Sequence, residues 1–485
     1  MGCFNVKDKA VKDSIKKEVV IQTKTQLPLT HRTFLKCHFG GISRDYELQE
    51  IIGEGAFALV RKAYHLPTGQ FRALKKIDKR GLHLQQYTEK RDLREMQILK
   101  ELDHPHVLHC YEFFEDYNNF YISMEFCTGG ELYDRILRFK RFTEEEASEI
   151  MSQLLSTVAY CHSKGIIHRD LKPENILVEE NSQNINIKVA DFGSSTILDP
   201  LGRLTGCFGS PYYVAPEVLL SSDYDNKCDL WSCGIIMYIM LTGKPPYRGN
   251  NPAQILHQVK TNPFQIQDSH PVSPQAKDLL RQLLKLSPSE RISAEEALES
   301  PWVQKQKTGA ADLSDTLVSL LVFNNSQKLK EAVRLFIATQ ILSHKDEKEL
   351  RDNFRAMDKN GDGRLGSEEL VTLYRTNYGE EAASYVKEIM QVLDSDSSGT
   401  IDYSEFLKAC LQETKHLNKQ NLVKTFNMFD KDNNGKITAE ELKNMLQGEE
   451  IADEKVWTDI IKEVDKNGDG VIDIHEFLEL MLNNF

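Results

Sequence analysis

His168-Arg169-Asp170-Leu171-Lys172-Pro173-Glu174-Asn175 is the stretch whose reading decides the fold. Taken singly, its charged residues read as solvated surface groups, because Lys, Arg, Asp and Glu are seldom buried. What lies on either side changes that reading. Towards the N-terminus stand Glu95 on a helical stretch and Ala73-Leu74-Lys75 on a strand-like one. Before them comes Gly53-Glu54-Gly55-Ala56-Phe57-Ala58-Leu59-Val60, directly after the strand-like Ile51-Ile52. Backbone amides of such a turn can fold over a polyphosphate, although two glycines alone more often mark only a hairpin. Towards the C-terminus follow Asp191-Phe192-Gly193 and Ala215-Pro216-Glu217. So many chemically apt residues in one order exclude coincidence.

From Tyr46 the pattern is β-like, through Leu59-Val60, Phe71 to Ile77 and Phe120 to Phe126; from about Phe142 to Trp302 helical periodicity dominates, as in Ile150, Leu154, Leu155 and Val158. A small β-rich unit thus precedes a larger helical one. With the motifs in this order, residues 46–302 resemble the eukaryotic protein kinase family. The resemblance implies a two-lobed α+β fold that binds ATP and Mg²⁺ and transfers phosphate. Phosphoryl transfer needs positioning and charge neutralisation. By resemblance, Lys75 holds the α/β-phosphates and is fixed by Glu95. Asp191 and Asn175 hold Mg²⁺, Asp170 orients the substrate hydroxyl and accepts its proton, and Lys172 neutralises the γ-phosphate. Gly53, Glu54, Gly55, Ala56, Phe57, Ala58, Val60 and Ala73 line the nucleotide, with Met124 as gatekeeper and Glu125 to Cys127 as hinge. The third glycine of the family's loop is Ala58 here, a modest change expected to alter loop mobility only.

Lys172-Pro173-Glu174-Asn175 resembles the serine/threonine branch. Glu131, after Gly129-Gly130, and Glu174 match acidic positions with which related enzymes receive an upstream Arg of the substrate; the alternative is that Glu131 bonds only the ATP ribose and Glu174 is an exposed loop charge. In many relatives Arg169 would clasp a phosphothreonine where this chain has Gly206, with Thr205 one residue away. Loop phosphorylation is therefore not expected to be the main switch.

A second pattern begins beyond residue 350. Asp-led acidic loops start at 358, 394, 430 and 465, spaced 36, 36 and 35 residues apart, which marks a duplicated unit. The first supplies Asp358, Asn360, Asp362, Gly363, Arg364 and Glu369; the second Asp394, Asp396, Ser398, Gly399, Thr400, Asp402 and Glu405. The third supplies Asp430, Asp432, Asn434, Gly435, Lys436, Thr438 and Glu441, and the fourth Asp465, Asn467, Asp469, Gly470, Val471, Asp473 and Glu476. Alternating oxygen donors, a Gly at the bend, a backbone carbonyl at the seventh position and a closing Glu wrap one Ca²⁺. The four loops resemble EF-hands, which implies an all-α, calmodulin-like domain.

Between the two patterns, Leu329, Val333, Phe336, Ile337 and Ile341 share one helical face, near Lys328, Lys330 and Arg334. A basic amphipathic helix suits a Ca²⁺-opened EF-hand groove. Kinase, junction and four EF-hands together resemble the calcium-dependent protein kinases of plants and protists. That resemblance implies that, without Ca²⁺, the junction around Asp312 to Leu342 covers the substrate cleft, and that Ca²⁺ makes the EF-hand unit capture it. The expected division is a basic tail at 1–45, a kinase domain at 46–302, a junction at 303–345 and an EF-hand domain at 346–485. The alternative is a Ca²⁺-responsive binding scaffold that uses the kinase fold without catalysis.

Composition fits. The chain has 485 residues, is 40% hydrophobic and 27% charged, and carries −13, divided as +5 over residues 1–40, −6 over 41–350 and −12 over 351–485. Such a balance excludes a disordered chain and argues against nucleic-acid binding. The nine scattered cysteines read as reduced thiols, which implies a cytoplasmic setting; the kinase resemblance implies a monomer that acts on protein Ser/Thr. Met1-Gly2-Cys3 offers a myristoylated Gly2 and a palmitoylated Cys3 beside Lys7, Lys9, Lys12, Lys16 and Lys17, and hence attachment to a membrane. The usual Ser/Thr at the sixth position is Val6, and an unmodified tail is the alternative.

Overall fold

The computed structural model describes residues 29–55, 58–79, 89–180, 185–198, 204–206, 209–220, 223–249, 251–261, 264, 272–304, 313–323, 327–411, 415–446 and 454–482. The tail readings at Gly2, Cys3 and the lysines, and Ala56 and Phe57 of the glycine loop, lie outside them. The described residues form two compact units. One comprises Leu35–Ala311 with Phe354–Leu365; the other takes the described parts of Met1–Phe34, Asp312–Asn353 and Gly366–Phe485.

The first unit opens with a six-stranded sheet of β1 (Cys37–Phe39), β2 (Tyr46–Glu54), β3 (Ala58–His65), β4 (Gln70–Asp78), β5 (Cys110–Glu115) and β6 (Asn119–Glu125), in the order β1-β5-β6-β4-β3-β2. β1 pairs parallel to β5 and the other pairs are antiparallel. β1 falls within the stretch read from sequence as tail; the short, polar-flanked Cys37-His38-Phe39 gives no periodic signal, and only the free edge of β5 makes it a strand. Cross-strand partners share a face of a sheet. The register Val60↔Lys75, Lys75↔Ile122 and Ala73↔Met124 therefore sets those side chains on one face. The opposite face closes a small core of Ile42, Tyr46, Ala63, Leu74, Phe114 and Tyr121.

Helix α1 (Glu89–Glu101) follows β4. The helical lobe is built on α2 (Leu132–Phe139), α3 (Glu144–Ser163) and α4 (Lys227–Thr242). α3 begins at Thr143, whose hydroxyl accepts the Glu146 N–H while the Glu146 carboxylate accepts the Thr143 N–H; Glu144, Glu145 and Glu146 in its first turn suit the helix dipole. α4 is apolar on nearly every side and lies in the lobe's centre, with Leu230, Cys233, Ile235, Ile236, Met237 and Met240 fully buried.

In the second unit, α5 (Lys328–Phe336) continues into a π-helical turn, Ile337–Ile341. Leu329, Val333, Phe336, Ile337 and Ile341 are all buried, as the face read from sequence requires. Around them lie α6 (Tyr403–Cys410) and α7 (Lys419–Phe429), and α8 (Ala439–Leu446) packs on α7. No described helix is long and apolar enough to cross a membrane.

Candidate active site and calcium loops

The lysine of β4 and the glutamate of α1 meet below the sheet. Lys75 Nζ donates to Glu95 Oε1 at 2.7 Å and to Asp191 Oδ1 at 3.0 Å. Burial works against the Lys75 charge, but Glu95 and Asp191 outweigh it and raise the ammonium pKa. The same pairing holds the Asp191 carboxyl down at about 2. Asp191 sits in the left-handed region (φ 59°, ψ 71°), a conformation that costs a non-glycine residue energy and turns up at functional sites.

Short strands β7 (Ile176–Val178) and β8 (Ile187–Val189) pair antiparallel and carry the loops on either side of the cleft. Asn175 precedes β7 and Asp191 follows β8, so their separation in sequence closes in space; the Ala190 N–H donates to the Asn175 carbonyl at 2.8 Å. Asn175 Nδ2 donates to the Asp170 carbonyl at 2.8 Å and to its Oδ2 at 3.3 Å. Lys172 Nζ donates to Asp170 Oδ2 at 2.8 Å and to Ser210 Oγ at 3.2 Å. The Ser210 N–H reaches Asp170 Oδ1 at 3.1 Å. Between them Gly209 has φ +97°, and a Cβ there would stand 2.8 Å from the Arg169 carbonyl, so only glycine fits.

Three residues that sequence reasoning did not single out support the segments around Asp170 and Glu217. Asp229, at the start of α4 and buried, accepts the N–H groups of His168 and Arg169, each at 2.9 Å, and lies 2.9 Å from His162 Nε2. Burial opposes its ionisation, yet the hydrogen bonds and positive character around it keep its pKa below the ordinary value. An acid heading an otherwise apolar helix is the signal that could have disclosed it. Arg291 grips Glu217 with two bonds, 2.7 and 3.1 Å, in the interior. Ser210 is the third, through its bonds to Lys172 and Asp170.

At the hinge, Glu125 is buried against Lys188 at 3.2 Å, and Met124 is buried beside Ala73. The Glu131 carboxyl is pushed up by its partial burial and by neighbouring Asp134 and Glu174. Lys172 pulls the Glu131 carboxyl the other way. Glu174 Oε2 is buried with no hydrogen-bond partner among the described residues. Gly53, Glu54, Gly55, Ala58 and Val60 lie at the β2–β3 turn, where the Gly55 N–H donates to the Ala58 carbonyl at 2.8 Å.

The four acidic loops repeat one backbone shape. Gly363, Gly399, Gly435 and Gly470 at the sixth position all have φ between 79° and 85°. The leading Asp of each accepts the N–H of that glycine, Asp358 at 2.9, Asp394 at 3.0, Asp430 at 2.8 and Asp465 at 2.8 Å. In the second loop, carboxylate oxygens of Asp394, Asp396 and Glu405 lie within 4.8 Å of one another; in the third, those of Asp430, Asp432 and Glu441 do the same. Hard oxygen donors converging in this way fit Ca²⁺. Burial pushes the Glu405 carboxyl up to about 8, against the pull of Lys408 and the Ser395 and Asp402 N–H groups. β9 (Lys436–Ile437) and β10 (Ile472–Asp473) pair the third and fourth loops, and Lys436 Nζ bonds Asp469 Oδ2 at 2.9 Å. Asn360, Asp362, Arg364, Glu369, Ser398, Thr400, Asn434, Asn467, Val471 and Glu476 complete the ligand positions read from sequence.

Residues 46–303 match the protein kinase domain family, and 347–411 and 419–482 each match an EF-hand domain pair. Calcium-dependent protein kinase 4 of Plasmodium berghei (strain Anka) is 37% identical over 490 residues, covering 97% of this chain and 92% of that protein. Calcium-dependent protein kinase 4 of Plasmodium falciparum (isolate 3D7) is 38% identical over 462 residues, covering 91% and 87%. Calcium-dependent protein kinase 5 of the same isolate is 38% identical over 454 residues, covering 91% and 78%. The chain belongs to the calcium-dependent protein kinase family. As a calcium-dependent protein kinase it combines an α+β catalytic domain with a helical EF-hand region, phosphorylates proteins on Ser/Thr, and uses ATP, Mg²⁺ and Ca²⁺.

Proposed function

We propose that this kinase phosphorylates Ser/Thr in basic sequence contexts and that its junction silences it until Ca²⁺ binds. The observation that carries the catalytic reading is a pair of hydrogen-bonded sets, Lys75 with Glu95 and Asp191 and Asp170 with Lys172 and Asn175, each linked at 2.7 to 3.3 Å and brought together where the Ala190 N–H donates to the Asn175 carbonyl. Asp170 orients the substrate hydroxyl and takes its proton on the carboxylate as the oxygen bonds to the γ-phosphorus and the bond to the β–γ bridging oxygen breaks. Lys75, fixed by Glu95, holds the α/β-phosphates, and Lys172 offsets charge on the transferring group. Mg²⁺, when bound, neutralises phosphate charge, and Asp191 and Asn175 are the residues that would hold it. Gly53, Glu54, Gly55 and Ala58 of the glycine loop cover the nucleotide. Glu131 and Glu174 accept a substrate Arg, a reading supported by the unpartnered Glu174 oxygen.

Autoinhibition draws its support from the junction helix, which is sequestered among EF-hand helices. Capture there and cover of the substrate cleft are alternative fates for one segment, and tethering supplies an effective concentration on the order of mM. The switch is intramolecular, so the kinase acts as a monomer. Filling four sites takes the −12 of residues 351–485 to about −4, relieving self-repulsion. The basic tail, acylated at Gly2 and Cys3, attaches the kinase to anionic membranes; an intact mass showing unmodified Gly2 in native cells would end that reading. A peptide-array phosphorylation assay with and without Ca²⁺ tests the rest. Transfer to Arg-containing Ser/Thr peptides only with Ca²⁺ is expected, and equal transfer in chelator would leave a constitutive kinase.

A further inference from the structure

The segment upstream of the kinase domain is built into the EF-hand unit. Residues His31–Phe34 form a 3₁₀ turn, closed by the Thr33 N–H on the Thr30 carbonyl at 2.9 Å and the Thr30 N–H on Thr33 Oγ1 at 3.1 Å. Leu29 and Phe34 are 1% and 6% exposed, values of a packed core rather than a tail. The Phe34 ring meets Phe336 of the junction edge-on, with centroids 5.0 Å apart. Phe336 in turn meets Phe429 edge-on at 5.4 Å. Phe429 immediately precedes Asp430, the first ligand position of the third loop. The turn also packs on α8, the helix leaving that loop, which carries Glu441.

One short segment therefore touches the exit helix of the third EF-hand directly and its entry helix through Phe336. Ca²⁺ opens sensor EF-hands by changing the angle between such helices. A segment packed on both responds to that angle. Directly after Phe34, Leu35 joins the kinase core, the Lys36 carbonyl accepts the Phe113 N–H at 3.0 Å, and β1 pairs with β5. No slack chain separates what the EF-hand holds from what the catalytic sheet holds. The positive Arg32 also suits a region carrying −12.

We propose that residues 29–34 are a second regulatory segment, a strap held by the third EF-hand together with the junction helix, so that Ca²⁺ is read at both ends of the catalytic domain. The proposal rests on Ca²⁺ regulation as set out above and extends it to an element outside the junction. Coupling between sites is reciprocal. If Ca²⁺ favours the docked strap, the docked strap must tighten Ca²⁺ binding by the same factor.

The test uses the full chain with Phe34→Ala, the milder Phe34→Leu, and Phe336→Ala. Phe34→Ala is expected to raise the half-activating Ca²⁺ concentration and to weaken direct Ca²⁺ binding alike, by about fivefold or more, with the leucine variant between it and the wild type. Hydrogen exchange should find residues 29–36 protected in the Ca²⁺-loaded wild type and exposed in Phe336→Ala, with protection of β2 to β6 unchanged. A Ca²⁺-responsive wild type with an unchanged Phe34→Ala titration overturns the strap alone. A wild type indifferent to Ca²⁺ overturns the regulatory reading and the strap with it. Should Phe34→Ala fail to fold, the exchange of residues 29–36 in Phe336→Ala decides, and persistent protection there overturns the proposal.

Discussion

Lys408 Nζ lies 2.9 Å from Glu331 Oε1, and the two side chains are 0% and 1% exposed. Glu331 belongs to the junction helix; Lys408 stands three residues after Glu405, the closing ligand of the second loop, and also bonds Ser395 Oγ of that loop at 3.0 Å. Lys328 adds a second bond to Glu331 at 2.9 Å. Removing one partner of a buried pair strands the other's charge, which costs about 3–5 kcal/mol, whereas replacing both with apolar groups is often near neutral. Lys408→Met should therefore destabilise the EF-hand unit by about that amount, and Glu331→Leu with Lys408→Met should regain most of it. Urea denaturation followed by near-UV circular dichroism measures the difference.

Lys75→Met should reduce phosphate transfer by about 10² to 10³, the loss seen when a preorganised charge stabiliser is removed. It has a second readout. The Asp191 carboxyl, held at about 2 mainly by Lys75, ionises more readily folded than unfolded. The pairing thus adds stability above the unfolded carboxyl pKa near 3.8 and loses it as pH falls towards 2. Melting temperatures of wild type and Lys75→Met, compared from neutral pH downwards, should converge in that window; a constant gap would remove Lys75 as the cause.

Glu131→Gln combined with Glu174→Gln should raise KM for peptides with an upstream Arg by roughly tenfold, about 1.4 kcal/mol, with kcat little changed. Peptides without that Arg should not respond. Because the Glu131 pKa is raised by burial and by Asp134 and Glu174, the wild-type preference for Arg should fade at a higher pH than an ordinary glutamate would allow. Steady-state kinetics across pH on the two peptide classes checks both statements.

Calorimetric titration should count four Ca²⁺ per chain, and Glu405→Gln or Glu441→Gln should each remove one, since the twelfth-position Glu supplies two of the ligand oxygens. Four ions still bound tightly by either variant would refute the ligand assignment.

Thr205→Ala should retain activity at saturating Ca²⁺. Gly206, with φ 92°, has no hydroxyl to phosphorylate, and Arg169 Nε donates to the Ser194 carbonyl at 2.6 Å. Loss of transfer by Thr205→Ala in a purified assay would show that loop phosphorylation matters after all.

Chemistry carried by spacing could be read directly from the chain. His168 to Asn175, Asp191-Phe192-Gly193 and the twelve-residue acidic loops are local motifs, because a turn or a metal loop is set by residues a few positions apart. The apolar face of the junction was legible for the same reason, being a helical period. What depends on distant partners was not. An acid heading an apolar helix marks Asp229 as unusual, but its partners, the N–H groups of His168 and Arg169 about sixty residues earlier, are set only by the fold, as is the pairing of Glu217 with Arg291. Glu331 lies off the apolar face that the helical period picks out, and only the fold buries it against Lys408. Residues 29–39 read as tail because a short turn and a three-residue strand have no periodicity; their order comes from Phe336, α8 and the edge of β5. The sequence by itself thus determined the reaction and the ion, since both are properties of residue type and spacing. Tertiary structure alone decided which charges are buried in pairs and which segments the EF-hands hold, because desolvation and long-range packing exist only once the chain has closed on itself.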